Sequence, residues 1–460
     1  MMRVATTLLS PAELGKVSLV LTTISFFALF LVNPAGMFIN RRLHAWQLTG
    51  VAKHYFIRYV GYLLLVNLIS AIGLLLFYLT VGINLGLPIG WLLFLVCGSL
   101  LFNTINQTSI PSLNLLGDSR AFMLLSTASL STSLACASLL VLIVIPAAQY
   151  WLLGLLIGQI LFAVIGTQFL FVKLGENKIP SLFPTISKQH LKGFFNFAWP
   201  ISIAAGLAWV QLQGYRYLMS GELGLSELGL FVAGYGISAG LIAAFESVLT
   251  TFFQPRLYRD VSIADTSEQA KAWHRYATAV IPSLILTVAL SITLAPELTQ
   301  LLLGKNFQSS AVFIIWGALS EAARVLMSVY SLIAHIHMRT QWLIVPNVVG
   351  GVLSILLIVV LIPVMGSAGV GLGLMLSGFI VVAIMHISLA KKVGGGVSIS
   401  SIFIAVIFSL ALWVAALSIR YILGSTGWLT FFCVCTVIGS LYLGLQYLLL
   451  KSHMSDEVAA

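Results

Sequence analysis

A glutamate and an arginine lie one helical turn apart in a segment that is otherwise apolar. The segment is ALSEAARVLMSVY, residues 318–330, and the two charges are Glu321 and Arg324. Residues three positions apart lie on the same face of a helix, so the carboxylate and the guanidinium can pair. Alternatively, Arg324 neutralises an anionic group of a bound ligand while Glu321 orients that ligand or carries a coupling proton. The sequence leaves both interpretations open.

The composition places these charges inside a membrane protein. Hydrophobic residues make up 60% of the 460 residues and charged residues only 8%, and the mean hydropathy is +1.06. Soluble domains carry about 25% charged residues, so no separate soluble domain is expected. An arginine at the bilayer centre costs roughly 2.5 to 3.5 kcal/mol on insertion scales. Arg324 is therefore expected to face protein or a watery cavity rather than lipid.

The spacing of the apolar segments predicts an all-α integral membrane protein with about 13 transmembrane helices, since a hydrocarbon core about 30 Å thick needs about 20 apolar residues per helix. The segments are continuously apolar rather than alternating, which favours helices over barrel strands. Lys and Arg concentrate in the connections on one side, which predicts that this side and the C-terminus are cytoplasmic. The predicted spans are 17–36, 59–82, 90–115, 120–145, 149–173, 194–220, 228–253, 279–303, 309–336, 341–363, 368–390, 400–423 and 428–450.

An internal repeat divides the chain into two lobes of similar design. Residues 10–23, SPAELGKVSLVLTT, resemble residues 224–238, GLSELGLFVAGYGIS, and each segment contains a Glu-Leu-Gly triplet. The repeat predicts an N-terminal lobe of five spans and a C-terminal lobe of six, related by a pseudo-twofold axis, and then an additional helix pair. The first lobe is thus expected to be one helix short at its beginning. The predicted bounds are 1–190, 191–392 and 393–460, the last with a short cytoplasmic tail.

Three segments resemble signatures of a known family. They are LLSPAELGKVSLVLTT, FAWPISIAAGLAWVQLQGYRYLMSGELGLSELGLFVAGYGIS and FFQPRLYRD, and they are similar to the helix-loop-helix signatures of the polysaccharide transporters. These are lipid-linked oligosaccharide flippases of the MOP superfamily, which also holds the MATE exporters and the lipid II flippases. The resemblance implies two six-helix lobes around a central cavity that opens alternately to the two sides of the membrane. Here the first family helix is expected to be missing.

Polar side chains within the predicted spans are candidates for a substrate cavity. The repeat aligns the region of Glu321 and Arg324 with a polar stretch of the third span, so both lobes turn polar at a similar depth. In the sixth span, amide and basic side chains accompany aromatic ones, a combination suited to sugars; an aromatic belt with interhelical hydrogen bonds is the alternative. The cavity candidates are Arg324, Glu321, Asn103, Asn106, Gln107, Gln211, Gln213 and Arg216.

Two further groups of charged residues are candidates for coupling and for head-group binding. Glu246, deep in the seventh span, is with Glu321 a candidate for titration or cation binding; snorkelling or pairing with a basic cytoplasmic residue is the alternative. Basic residues next to the cytoplasmic membrane surface can attract a pyrophosphate head group, or they serve only as positive-inside anchors. These head-group candidates are Arg41, Arg42, Arg256 and Arg259.

The resemblance implies a transporter that flips an undecaprenyl-diphosphate-linked oligosaccharide, such as a lipopolysaccharide O-antigen, capsule or exopolysaccharide unit, across the bacterial inner membrane. Ion-coupled export of drugs or small molecules is the alternative, although the first lobe has no acidic residue within its spans. An enzyme, a cofactor and a metal site are not expected, because no catalytic or metal-binding constellation is recognised. A nucleic-acid partner is not expected either, because the net charge of +10 mostly reflects the positive-inside bias. The expected partners are the lipid-linked cargo and membrane lipids, with polysaccharide polymerase and glycosyltransferase machinery as further candidates.

Overall fold

The computed structural model describes seven stretches of the chain, and every regular element in them is a helix. The described residues are 1–81, 86–175, 188–263, 266–337, 339–393, 399–424 and 428–455. Within these stretches, 12 helices are long and apolar enough to cross a membrane. The prediction of an all-α, multi-pass membrane protein is therefore confirmed.

The helices follow one another with short connections. A π-helical segment, Ala28–Val32, joins α2 to α3, so that these two helices form one continuous membrane span. In chain order the helices are α1 (Met2–Leu8), α2 (Pro11–Phe27), α3 (Asn33–Leu48), α4 (Ala52–Val81), α5 (Ile89–Leu115), α6 (Ser119–Ile143), α7 (Ala148–Lys173), α8 (Lys188–Gln213), α9 (Tyr215–Glu222), α10 (Gly224–Ile263), α11 (Thr266–Thr293), α12 (Ala295–Leu302), α13 (Ala311–Ile336), α14 (Ile344–Met365), α15 (Ser367–Leu389), α16 (Ile399–Leu423) and α17 (Trp428–Ser455).

The 12 membrane-spanning candidates correspond to all but one of the predicted spans. The exception is the span predicted at 194–220. That region is helical, as α8 and α9, but it is not among the candidates found in the described residues.

The span predicted at 279–303 is wrong in its bounds. Helix α11 starts at Thr266, carries Glu268 in its first turn, and ends at Thr293. Its charged first turns lower the local hydropathy, so the sequence pattern placed the start too late. Beyond Leu294 a separate helix, α12, opens with proline in its first turn, a position where proline is favoured. The predicted span therefore corresponds to parts of two helices.

Helix α2 begins at a capping residue that the sequence encodes locally. The Ser10 hydroxyl accepts a hydrogen bond from the backbone N–H of Glu13 at 3.3 Å, and Pro11 occupies the first turn. This arrangement is typical of helix N-termini. The Glu13 carboxylate also pairs with Lys16 at 2.6 Å and accepts the backbone N–H of Ala148 at 2.7 Å, where α7 begins. A carboxylate at a helix N-terminus is favourable, so Glu13 joins the starts of α2 and α7.

The chain divides into two compact units. The first comprises Arg3–Ser220 with Gly224–Gly229, and the second comprises Leu230 onward with Gly221–Leu223. In the first unit α5 packs on α7, and α8 packs on α3. Residues 191–220, which the repeat assigns to the C-terminal lobe, thus make their contacts in the first unit. The division of the sequence into repeats stays a prediction, because contacts do not measure sequence ancestry.

The two Glu-Leu-Gly triplets of the repeat meet within the first unit. A Cβ on Gly15 would overlap the carbonyl oxygen of Leu225, and a Cβ on Gly229 would overlap that of Pro11. Only glycine allows two backbones to approach this closely. The repeated glycines therefore have corresponding structural roles.

The second unit has a buried core around α13. This helix packs on α11 and α15, and the core includes Trp273, Ile333 and Val381, all fully buried. The additional pair α16 and α17 packs on α11. Helix α13 is thus held on two sides, and it carries the charged pair Glu321 and Arg324.

Candidate functional site

One arginine lies between two carboxylates in the second unit. Arg324 Nη2 donates to Glu246 Oε2 at 2.8 Å, and Arg324 Nε donates to Glu321 Oε2 at 2.5 Å. The Tyr235 hydroxyl donates to the other Glu321 oxygen at 3.0 Å. We call these four residues, Tyr235, Glu246, Glu321 and Arg324, the carboxylate cluster. With all three ionisable groups charged, it has one negative charge in excess.

Helices α10 and α13 position the carboxylate cluster. Tyr235 and Glu246 lie about three turns apart on α10, and three turns bring side chains back to the same helix face. Glu321 and Arg324 lie on the facing side of α13. The helices approach closely at Gly317, where a Cβ would overlap Ser238 Oγ and lie 2.9 Å from the Tyr235 Cα. The short distances in the cluster thus depend on a glycine contact one turn away.

The carboxylate cluster is largely buried, but each of its three charged side chains keeps some exposed surface. The exposed fractions of the side chains are 10% for Glu321, 20% for Glu246 and 26% for Arg324. Arg324 is about 20 Å along α13 from Ala311, which is well inside a hydrocarbon core about 30 Å thick. The predicted pairing of Glu321 with Arg324 is present, and Glu246 completes the group. The partial exposure leaves room for a small cation or proton to reach the carboxylates.

A second polar group surrounds Arg216 in the first unit. Arg216 Nη1 donates to the Thr22 hydroxyl at 2.7 Å and to Gln213 Oε1 at 3.4 Å. The Ser25 hydroxyl donates to the same Gln213 oxygen at 3.1 Å and accepts the Trp209 indole N–H at 3.0 Å. The hydroxyls of Thr23 and Tyr217 lie 2.7 Å apart. We call this group the arginine cluster: Thr22, Thr23, Ser25, Trp209, Gln213, Arg216 and Tyr217.

The arginine cluster carries a positive charge deep in the protein. Among the described residues, Arg216 forms no ion pair with a carboxylate, and its hydrogen bonds go to the neutral oxygens of Thr22, Gln213 and Tyr215. Thr22 lies about three turns, or roughly 17 Å, along the membrane helix that begins at Pro11. That depth is close to the middle of the hydrocarbon core. A guanidinium bonded only to neutral groups keeps its charge available for an anion.

Arg216 and Gln213 were predicted from the sequence, whereas their partners on α2 were not. The signal for those partners was the run Thr22-Thr23-Ile24-Ser25, which places three hydroxyls inside an apolar span. Gln211, the third residue predicted in the sixth span, lies on α8 and is buried, with 4% of its surface exposed.

The three amide side chains on α5 that were predicted to line a cavity differ in their burial. Asn106 is buried and donates to the Ser129 hydroxyl on α6 at 2.8 Å. Asn103 is half-buried and Gln107 is exposed. Asn106 therefore joins two helices, whereas Asn103 and Gln107 remain accessible. Their role as cavity residues stays a prediction.

The predicted head-group arginines are only partly within the described structure. Arg256 is half-buried and Arg259 exposed, both near the end of α10. The side chains of Arg41 and Arg42 lie outside the described residues. Their proposed attraction for a pyrophosphate stays a prediction.

A buried ion pair that was not predicted from the sequence joins α12 to α16. Arg420 donates to Glu297 through Nε at 3.0 Å and through Nη2 at 2.6 Å, and Nη2 also donates to the Thr293 carbonyl at 2.6 Å. The exposed fractions of the two side chains are 18% and 8%. This two-point geometry is typical of a specific arginine–carboxylate contact. It fastens the additional helix pair to the rest of the second unit.

Removing one partner of this pair is expected to lower stability strongly. Arg420→Ala leaves Glu297 buried without its counter-ion, which costs about 3 to 5 kcal/mol. The measurement is the thermal unfolding midpoint of the purified protein in detergent. The double variant Arg420→Met with Glu297→Met should recover most of the loss, because apolar replacement of both partners removes the unpaired charge. An Arg420→Ala midpoint equal to wild type would contradict this role.

The fold of this multi-pass membrane protein is similar to the folds of solved membrane transporters. One of them is a multidrug resistance MATE family transporter of the MOP superfamily in an inward-facing conformation, with a TM-score of 0.68 at 14% sequence identity. That match covers 85% of this chain and 93% of the other.

A second solved structure similar to this chain is the lipid II flippase MurJ in an inward closed conformation. The TM-score is 0.61 at 15% identity, covering 96% of this chain and 98% of the other. No protein-family model and no curated protein matches the sequence. Sequence identities this low establish the fold and leave the cargo open. Neither comparison supports the expectation that a first family helix is missing.

Proposed function

We propose that this chain is a transporter that flips an undecaprenyl-diphosphate-linked oligosaccharide across the bacterial inner membrane. The arginine cluster is the observation that supports this proposal. Its guanidinium lies deep in the membrane region and is surrounded by hydroxyl, amide and aromatic side chains, and it has no carboxylate partner among the described residues. This set matches a cargo that combines a diphosphate with sugars. The resemblance of the sequence to polysaccharide transporters supports the same cargo class.

In this proposal Arg216 binds the diphosphate. Guanidinium groups bind phosphate through two parallel N–H bonds, and such charge-assisted bonds are stronger than bonds between neutral groups. Arg216 Nη1 already donates to Thr22 and Gln213, so these residues hold the guanidinium in place. The flat faces of Trp209 and Tyr217, whose ring centres are 6.1 Å apart, are suited to the apolar faces of sugar rings.

The carboxylate cluster supplies the coupling in this proposal. Its excess negative charge favours a proton or a metal cation such as sodium, and binding would neutralise the group. Charged residues inside membrane helices commonly mark ion pathways. Loading and release of the cation would then bias alternating access, in which one half of the protein rocks against the other. The oligosaccharide changes sides while its lipid tail stays in the bilayer, and no covalent bond is made or broken.

Complementation tests the proposed cargo. The chain is expressed in a bacterial strain that lacks its oligosaccharide flippase, and surface polysaccharide is measured together with the membrane level of the protein. Restored polysaccharide at normal membrane levels is the expected result. A well-expressed protein that fails in strains with several different repeat units would count against this cargo class.

Ion-coupled export of small molecules is the second candidate. Two observations favour it: the similarity to the MATE transporter has a TM-score of 0.68, and the carboxylate cluster has the charge that cation coupling needs. Export assays with cationic dyes in cells expressing the chain separate the two candidates. Dye efflux that depends on the ion gradient, without restored polysaccharide, would favour the exporter.

A further inference from the structure

An apolar groove runs along the first unit between α4, α5 and α7. Its volume is about 610 Å³, and its deeper part is lined by Val60, Leu64, Phe102, Ile105 and Val164. Leu64 is 55% exposed and Val164 is 51% exposed, so the groove is open on the side of these residues. In a membrane protein, an open apolar surface of this kind lies against the hydrocarbon chains of lipids. None of the residues of the arginine cluster lines it.

One end of the groove is polar and positively charged. Lys53 lies in the first turn of α4, on the same helix face as Ile57, Val60 and Leu64. Its ammonium lies 5.9 Å from the ring centre of Phe171, which lines the groove near the end of α7. Among the described residues, Lys53 has no carboxylate partner. This end therefore offers a positive charge beside an aromatic ring at the border of the membrane.

Two uncharged polar side chains follow Lys53 along the groove. Thr167 and Gln168 line it on α7, about one turn from Phe171. The Thr167 hydroxyl is shielded from solvent and has no hydrogen-bond partner in the described part of the chain. Beyond these two residues the lining is apolar as far as Leu64, roughly 17 Å from Lys53 along α4. Charge, hydrogen-bonding capacity and apolar surface thus follow one another along the groove.

We propose that this groove binds an anionic glycerophospholipid, with the phosphate at Lys53 and one acyl chain along Val60 and Leu64. A glycerophospholipid has the same order of groups: a charged phosphate, then ester carbonyls, then hydrocarbon. The ester carbonyls can accept hydrogen bonds from the two N–H groups of the exposed Gln168 side chain. A polyprenyl phosphate has no carbonyl between its phosphate and its hydrocarbon chain, so it leaves those donors without acceptors. Basic pockets between membrane helices are known to bind anionic lipid head groups.

Native mass spectrometry of the purified full chain tests this proposal. Phosphatidylglycerol, phosphatidylcholine with identical acyl chains, and undecaprenyl phosphate are titrated separately onto the protein. We expect wild type to retain phosphatidylglycerol roughly fivefold better than phosphatidylcholine, which corresponds to one lysine at a membrane surface. Lys53→Gln should bring this ratio close to one, whereas Lys271→Gln, which changes an exposed lysine paired with Glu268 in the other unit, should leave it unchanged.

A second variant tests the groove itself. A Cβ on Gly61 would meet nothing within 4 Å, so Gly61→Leu fills the groove without a clash with the surrounding protein. It should remove the tightest phosphatidylglycerol site. Gly444→Leu is the matched control, because Gly444 also has open space and lies on the exposed surface of α17. Its lipid binding should equal that of wild type.

Three results would overturn the proposal. Wild type that binds phosphatidylglycerol and phosphatidylcholine equally would remove the role of Lys53. Unchanged binding in Gly61→Leu would move the site elsewhere. A groove site that prefers undecaprenyl phosphate to phosphatidylglycerol would identify a different lipid class. None of these results depends on whether the protein flips an oligosaccharide.

Discussion

Arg216→Ala is expected to reduce oligosaccharide flipping by roughly tenfold to a hundredfold, because a hydrogen bond to a charged group contributes about 1.5 to 3 kcal/mol. The loss should appear in cargo binding as well as in transport, since the guanidinium contacts the diphosphate in the proposed complex. The remaining hydrogen bonds of the cluster join neutral groups, so the fold should persist. The measurement is the flipping rate at equal amounts of reconstituted protein.

Two variants sharpen the Arg216 prediction. Arg216→Lys keeps the charge but loses the planar, two-point geometry, so its rate should lie between those of wild type and Arg216→Ala. Arg120→Ala removes an exposed arginine of the same unit and should flip normally. If Arg216→Ala flips at the wild-type rate, the arginine cluster is structural and the proposed binding site is wrong.

Neutralising one carboxylate of the carboxylate cluster is expected to uncouple transport from the ion gradient. Glu321→Gln leaves the Arg324–Glu246 pair intact, and its amide can still bond to Tyr235. Because a carboxylate is replaced by a neutral isostere, the net charge of the cluster changes from minus one to zero and no cation is needed to balance it. We expect normal membrane levels together with transport that no longer responds to an imposed proton or sodium gradient.

Replacing the arginine of the carboxylate cluster separates the contribution of the cluster to protein stability from its contribution to ion coupling. Arg324→Ala leaves Glu246 and Glu321 without their shared cation, which is expected to cost about 3 to 5 kcal/mol and to lower the unfolding midpoint. The triple variant Arg324→Met, Glu246→Gln and Glu321→Gln should recover the midpoint but not the gradient dependence. If wild-type transport ignores both gradients, or if Glu321→Gln keeps the full gradient response, the cluster has no role in coupling.

Sequence patterns predicted the local features of this protein and missed the long-range ones. Continuous apolar segments identify membrane helices because the bilayer sets their length and composition. The contact of Glu321 with Arg324 follows from helix geometry at a separation of three residues. Glu246 lies 78 residues from Arg324, and Thr22 lies 194 residues from Arg216. Such pairings depend on which helices pack against each other. The pattern of a single sequence does not predict that packing.

The Arg420–Glu297 pair illustrates the same limit. Each residue is a single charge near the end of an apolar segment. Such a position is typical of an ordinary residue at the membrane interface. Their separation is 123 residues, and only the packing of α16 beside α12 makes them a buried pair. The repeated glycines are the converse case. Their recurrence in the two Glu-Leu-Gly triplets is visible in the sequence, and the structure supplies the close contact that requires them.

Flipping in proteoliposomes is the most direct test of the central claim. Purified protein is reconstituted with a labelled undecaprenyl-diphosphate-linked oligosaccharide, and a membrane-impermeant glycosidase reports how much cargo reaches the outer leaflet with time. We expect wild type to move the cargo well above the rate of protein-free vesicles and Arg216→Ala to stay near that background. Wild type at the background rate, across cargos with different repeat units and with an ion gradient imposed, would contradict the central claim.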